Sequence, residues 1–200
     1  MAIKNQKEEI IEIPQIKIDV VKFKVRGATP LIVNRFSEKA KQMILDKQMK
    51  KAEKGKEAKD PVAQFQGSLY KFSDGKRTGF PAVGFKAAMV RAGKQLGLTM
   101  TDLRGRFHVM ADEGDLVEIK KSVPHMREDM VRIGMGVADV RFRGEYGTGW
   151  ECEITIQFFK NAISKEQLAQ LLTLAGFTCG IGEWRPEKSN SGSYGIFELV

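Results

Sequence analysis

The last quarter of the chain constrains the fold most. Trp150 to Phe159 alternates without a break, with Cys152, Ile154, Ile156 and Phe158 on one side and Glu151, Glu153, Thr155 and Gln157 on the other. A period of two over ten residues is a strand with one buried face. Ser164-Lys165-Glu166-Gln167 then forms a capping box, and Leu168, Leu171, Leu172 and Ala175 recur at the spacing of a buried helical stripe. Gly176 is the expected end of that helix. Gly180-Ile181-Gly182 turns the chain, a polar loop carries Trp184, Arg185 and Lys188, and a short strand begins near Tyr194. The order is strand, helix, strand.

The rest of the chain is read outward from there. Residues 1–14 look like a loose arm. Gln15 to Gly27 is a strand in which Ile16, Ile18 and Val20 alternate first and Val21, Phe23 and Val25 afterwards. That change of phase predicts a bulge at Val20-Val21. Lys22, Lys24 and Arg26 then share the face opposite the apolar one, either as a solvated face or as a row of cations on an open sheet. Residues 29–36 read as an apolar loop that exposes Asn34 and Arg35.

Residues 38–59 hold eight lysines and four carboxylates around a thin stripe at Ala40, Met43 and Ile44. This is a solvated helix, or an arm that meets polyphosphate or a neighbouring subunit. Asp60-Pro61 starts a helix carrying Val62, Phe65, Leu69 and Phe72, and the loop behind it brings Lys76 and Arg77. Phe80-Pro81-Ala82-Val83-Gly84 leads into a helix with a stripe at Phe85, Met89, Ala92 and Leu96, and Gly97 is its cap. Lys86 and Arg91 lie on that helix. Residues 98–149 read as β-rich, with strands near 106–110, 116–120, 129–133 and 137–143, the last carrying Arg141 and Arg143.

These elements fit one α+β domain over 1–200. Its core is of the RRM or ferredoxin-like type, β-α-β-β-α-β, with a basic helical excursion at 37–79 and a β-rich insertion at 98–149. Both helices of such a core pack on one side of the sheet, and RNA-recognition domains use the other side. A formal net charge of +8 favours polyanionic partners. Cys152 and Cys179 sit in apolar settings, which suggests buried thiols in a reducing, cytoplasmic compartment. Met1 to Lys7 has no signal-peptide character, and no segment approaches the roughly 20 apolar residues of a membrane helix, so no membrane partner is expected.

Three stretches carry a family resemblance, one of them, the first strand and its loop, without a specific motif. Phe80 to Arg91 resembles the segment of CRISPR-associated RAMP proteins in which proline and small residues precede lysine and arginine on a helix. Gly180-Ile181-Gly182 with Ser191-Gly192-Ser193-Tyr194-Gly195 resembles their glycine-rich terminal loop and last strand. The likeness is greatest to the repeated backbone subunits of CRISPR effector complexes, and the divergence leaves room for a phage-encoded relative. The resemblance implies an RRM-like core with insertions and side-by-side assembly along guide RNA. It also implies that Lys86 and Arg91 face nucleic acid and that the terminal loop touches its backbone.

The chain departs from the family at the catalytic positions. The loop after the first strand offers Asn34 where RNA-cutting members carry an aspartate. The two histidines, His108 and His125, both fall in the 98–149 region, and neither has metal-ligand spacing around it.

The sequence therefore points to a non-enzymatic binder of RNA or single-stranded DNA that forms a homo-oligomer or filament, with no cofactor and no metal. The cations Lys22, Lys24, Arg26, Lys86, Arg91, Arg141, Arg143, Arg185 and Lys188 would meet phosphates. Trp184 would be either core or, with Tyr194, a stacking platform for bases. Alternatives are a RAMP-type endoribonuclease using His108 or His125 and an adaptor subunit that binds an acidic protein.

Overall fold

In the computed structural model, which describes residues 15–51, 58–133 and 136–200, burial alternates along the first strand from end to end. Asp19, Val21, Phe23 and Val25 point inward, while Ile18, Val20, Lys22, Lys24 and Arg26 are exposed. The predicted loose arm at 1–14 lies outside the described residues.

The chain runs β1 (Ile18–Gly27), β2 (Leu31–Val33), α1 (Glu38–Gln48), α2 (Pro61–Ser68), β3 (Tyr70–Lys71), β4 (Thr78–Pro81) and α3 (Ala82–Ala92). A short 3-10 turn follows, then α4 (Met100–Arg106), β5 (Phe107–Met110), β6 (Leu116–Glu118), β7 (His125–Ile133), β8 (Val137–Tyr146), β9 (Glu151–Phe159), α5 (Lys165–Thr178) and β10 (Phe197–Leu199).

Four strands form an antiparallel sheet in the order β10-β1-β9-β5. With α3 between β1 and β5, and α5 between β9 and β10, this is the ferredoxin-like order, and α3 packs against α5. The predicted fold class holds. Phe85, Met89 and Ala92 from α3 meet Leu168, Leu171, Leu172 and Ala175 from α5 over Ile154, Ile156, Phe158 and Phe107 of the sheet. Each buried leucine there contributes about 2 kcal/mol of transfer free energy. Ser164 caps α5 as predicted, accepting from the Gln167 N–H while Gln167 accepts from the Ser164 N–H. Gly97, at φ +71, closes the 3-10 turn behind α3.

The insertions add two three-stranded sheets, β2-β8-β7 and β3-β4-β6. The expected loop at 29–36 contains β2, which pairs with β8 from Leu31–Tyr146 to Val33–Gly144.

Several sequence expectations are corrected. No bulge interrupts β1, which pairs residue for residue with β9 from Ile18–Phe159 to Arg26–Glu151. Ile18 and Val20 are therefore exposed on the same face as the lysines, and the inward series starts at Asp19. The stripe on α2 stops at Ser68. Leu69 and Phe72 are buried beyond the helix end. Leu96 is exposed rather than part of the α3 stripe. Gly176 lies inside α5, where a Cβ would stand 1.9 Å from the Phe197 carbonyl oxygen, so its small size lets β10 approach the helix. β7 begins at His125, four residues before the predicted strand.

Candidate nucleic-acid interface

Among the described residues, the face of the four-stranded sheet away from α3 and α5 carries no helix. Its rows follow from the strand register. Ile18 sits beside Phe159, Val20 beside Gln157 and Lys22 beside Thr155; Lys24 is beside Glu153 and Arg26 beside Glu151. His108 and Met110 of β5 adjoin Gln157 and Thr155, and Glu198 of β10 adjoins Arg26. The face grades from apolar at Ile18 to densely charged at Arg26.

At the charged end the cations are already compensated. Lys24 Nζ lies 3.0 Å and Arg26 Nη2 lies 3.4 Å from the Glu151 carboxylate. Lys24, then Arg26, hold the Glu151 carboxyl below its ordinary range. Glu153 and Glu198 add two more carboxylates to the same rows. Lys22 has no ion pair among the described residues, so it is the uncompensated member of the predicted row.

Apart from Lys86, which reaches the β5 edge, the remaining predicted cations do not join this face. Arg91 leaves α3 on the opposite side of the sheet and pairs with Glu187 at 2.9 Å. Arg185 approaches the same carboxylate at 3.4 Å and donates to the Gly182 carbonyl oxygen at 2.8 Å. Lys188 is exposed nearby. Lys86 leans the other way along α3, toward β5, where its Nζ lies 3.0 Å from Nδ1 of His108; burial holds its ammonium below the ordinary lysine range. Lys86 and Arg91 therefore do not share one surface, because five residues along a helix turn the side chain to another flank. Arg35 is exposed beside Glu38 at 3.4 Å, and Asn34 is half-buried at the end of β2.

The β7–β8 hairpin holds a charged ladder on one face. Arg127 is opposite Arg143, Asp129 opposite Arg141, and His125 opposite Glu145. Arg143 is 3% exposed, which removes it from the predicted nucleic-acid surface. Asp129, 4% exposed, pairs with Arg127 at 2.8 Å and lies 3.5 Å from Arg143. Arg141 is half-buried, 3.9 Å from Asp139. His125 Nε2 lies 3.2 Å from Glu145.

The terminal loop covers this ladder. The Arg127 guanidinium lies 5.4 Å from the Trp184 ring and 4.8 Å from the Tyr194 ring, and Arg143 lies 5.7 Å from Trp184. The two rings meet edge to face at 6.0 Å. Both aromatic groups are thus engaged by the protein's own arginines. Both rings remain partly exposed.

The loop glycines are structural as well. A Cβ on Gly195 would stand 1.8 Å from the Ile181 carbonyl oxygen, and one on Gly182 would stand 2.4 Å from that of Ile32, both at positive φ. The loop is a fastener between the core and β2 (Glu183 N–H to the Ile32 oxygen, 2.9 Å; Gly195 N–H to the Pro30 oxygen, 2.8 Å).

Arg127 and Glu151 are the central residues that the sequence reading did not single out. The alternation His125-x-Arg127-x-Asp129 is visible in the sequence, but charged residues on a covered face resemble a solvated strand. Among the described residues no group of three or more His, Cys, Asp or Glu side chains could hold a metal ion.

No family model and no curated protein sequence matches the chain. Many solved structures resemble it, among them the following two. One is the crystal structure of Cmr6 from Pyrococcus furiosus, with 8% identity, 92% of this chain and 98% of that chain covered, and a TM-score of 0.46. The other is a chain in the cryo-EM structure of the Type III-B Cmr-beta bound to cognate target RNA, with 11% identity and a TM-score of 0.55. That match covers 92% of this chain, which spans 59% of the other's length. The chain shares the fold of a subunit of that RNA-bound assembly.

Proposed function

We propose that the chain binds RNA or single-stranded DNA along its sugar-phosphate backbone without cutting it and that it works side by side with copies of itself, as a RAMP-type subunit. The carrying observation is the bare face of the β10-β1-β9-β5 sheet, with Lys22, Lys24 and Arg26 in a row on β1. A net charge of +8 supplies the long-range attraction. The fold shared with a subunit of an RNA-bound complex supports the same reading.

The split of the cations narrows the surface. Phosphates meet Lys22 first, and Lys24 and Arg26 exchange part of their contact with Glu151 for contact with the strand. Such binding is strongly salt-dependent. A gel-shift series with single-stranded oligonucleotides at low salt tests it, and no shift for either RNA or DNA rejects it. Sizing the strand-bound protein against the free protein tests self-assembly.

One observation favours a second reading. The Lys86–His108 contact puts a cation beside an exposed imidazole at the edge of the open face. A general base next to an electrostatic stabiliser is the minimum an RNA-cleaving centre needs. Incubation of labelled RNA with the wild type and with His108→Ala decides it. Cleavage that disappears in the variant replaces the non-enzymatic reading.

A further inference from the structure

We propose that the cleft between α2, the β3–β4 turn and the segment leading into β7 binds a single nucleotide unit, a nucleobase bearing a phosphate. The cleft is open on one side and holds about 370 Å³. That is within the range of small-molecule sites and too small for a run of strand. None of its lining residues belongs to the four-stranded sheet, so it goes beyond the backbone-binding surface and stands or falls separately.

The lining has three chemistries in one place. Phe65 on α2, with the edges of the buried Leu69 just past that helix and Ile119 just past β6, gives it an apolar wall. A flat heterocycle loses water against such a wall at little cost to its polar edge. Lys71 and Lys76 supply positive charge. Lys71 Nζ has only the neutral Gln66 Oε1 as partner, at 2.7 Å, and Lys76 has no ion pair among the described residues. Two lightly engaged ammonium groups suit one phosphate. Glu118, whose carboxylate lies 3.9 Å from the Arg77 guanidinium, supplies a hydrogen-bond acceptor for the amino or imino N–H of a base.

The turn that carries Lys76 is fixed before any ligand arrives. The Asp74 carboxylate accepts the Lys76 and Arg77 backbone N–H groups at 2.8 and 2.9 Å. Arg77 is held by Asp74 at 2.6 Å and Glu113 at 2.9 Å and lies 4.5 Å from the Phe72 ring centre. A prearranged rim loses less freedom on binding.

The test is isothermal titration of the full chain with the four nucleoside 5′-monophosphates, inorganic phosphate and a 5′-phosphorylated trinucleotide. Variants are Lys71→Glu/Lys76→Glu, Glu118→Gln and, as the sheet-face control, Lys22→Glu, each checked by thermal melting. The expected result is saturable one-to-one binding of at least one monophosphate in the ~10 μM to 1 mM range. It weakens by about tenfold or more in the double lysine variant and is unchanged in Lys22→Glu. Glu118→Gln alters the ranking of the bases.

A trinucleotide advantage that the double variant abolishes identifies the unit as part of a strand; no advantage identifies a free nucleotide. Either outcome supports the site. It is overturned if no monophosphate saturates by ~10 mM, if binding survives in the folded double variant, or if inorganic phosphate binds as tightly as the nucleotides. Strand binding that fails on the sheet face while nucleotide binding persists separates the two readings.

Discussion

Glu151→Gln is the sharpest probe of the open face. Its carboxylate lies within 3.0 Å of Lys24 and 3.4 Å of Arg26, whose side chains are otherwise about half exposed. The amide keeps the shape and one acceptor but removes the charge that competes with phosphate. If a strand runs along β1, two cations lose the carboxylate that holds them and become available to it. For single strands each phosphate neutralised adds about 0.7 to the magnitude of the slope of log K against log salt, so the slope steepens by up to about 1.4. Between 50 and 200 mM salt, a fourfold change, the affinity ratio then grows by about sevenfold over wild type. Fluorescence anisotropy with a labelled single-stranded oligonucleotide at four salt concentrations measures both quantities. Lys22→Gln should flatten the slope by about 0.7 in the same assay. A melting-competent Glu151→Gln protein whose slope and affinity match wild type would refute the argument, because the nucleic acid would then not lie across Lys24 and Arg26.

Four further outcomes are expected. Gly195→Ala must hold alanine at φ +67 with its Cβ against the Ile181 carbonyl oxygen, and should lose about 3 kcal/mol in urea unfolding; a loss below about 1 kcal/mol contradicts the close approach. Asp129→Ala leaves the buried Arg143 without its carboxylate and should destabilise by about 3 kcal/mol, with a change in Trp184 fluorescence as the ladder beneath it rearranges. The Arg77 side chain, then the Arg77 and Lys76 backbone N–H groups, lower the Asp74 carboxyl to about 2. Because that pKa is depressed on folding, its stabilisation is complete above the ordinary value of 3.8 and is lost as pH falls through about 2, which an NMR titration of the Asp74 carboxyl reads directly. Wild type and His108→Ala should both leave labelled RNA intact, and the variant should keep strand affinity within about twofold of wild type, since Lys22, Lys24 and Arg26 remain.

The readable parts of the sequence were those where one physical demand dominates. Strand β9 separates a core from an open face, so its side chains alternate cleanly. Ser164 and Gln167 satisfy each other's backbone donors, so α5 announces its start. Ile18 and Val20 misled because they are apolar and exposed, and a pattern read as burial then needs a bulge to rejoin Val21, Phe23 and Val25. The covered ladder of β7 and β8 was illegible for the converse reason. Arg127, Asp129 and Arg143 look like solvent-facing residues until Trp184 and Tyr194, more than 40 positions later, close over them. The candidate site was legible as a row of cations on β1. Glu151 is visible in the sequence too, but its register opposite Arg26 is a property of the pairing between strands 125 residues apart.

The terminal strand is three residues long and meets β1 only at Val25, Arg26 and Gly27. Upstream of Lys24, among the described residues, the outer row of β1 amides and carbonyls therefore has no neighbouring strand. An unclosed seam of that kind invites accidental joining between molecules. Lys22 and Asp19 sit along it as charged gatekeepers, with Lys24 at its closed end, where its carbonyl accepts from the Val200 N–H, so this stretch discourages misassembly while staying open to water.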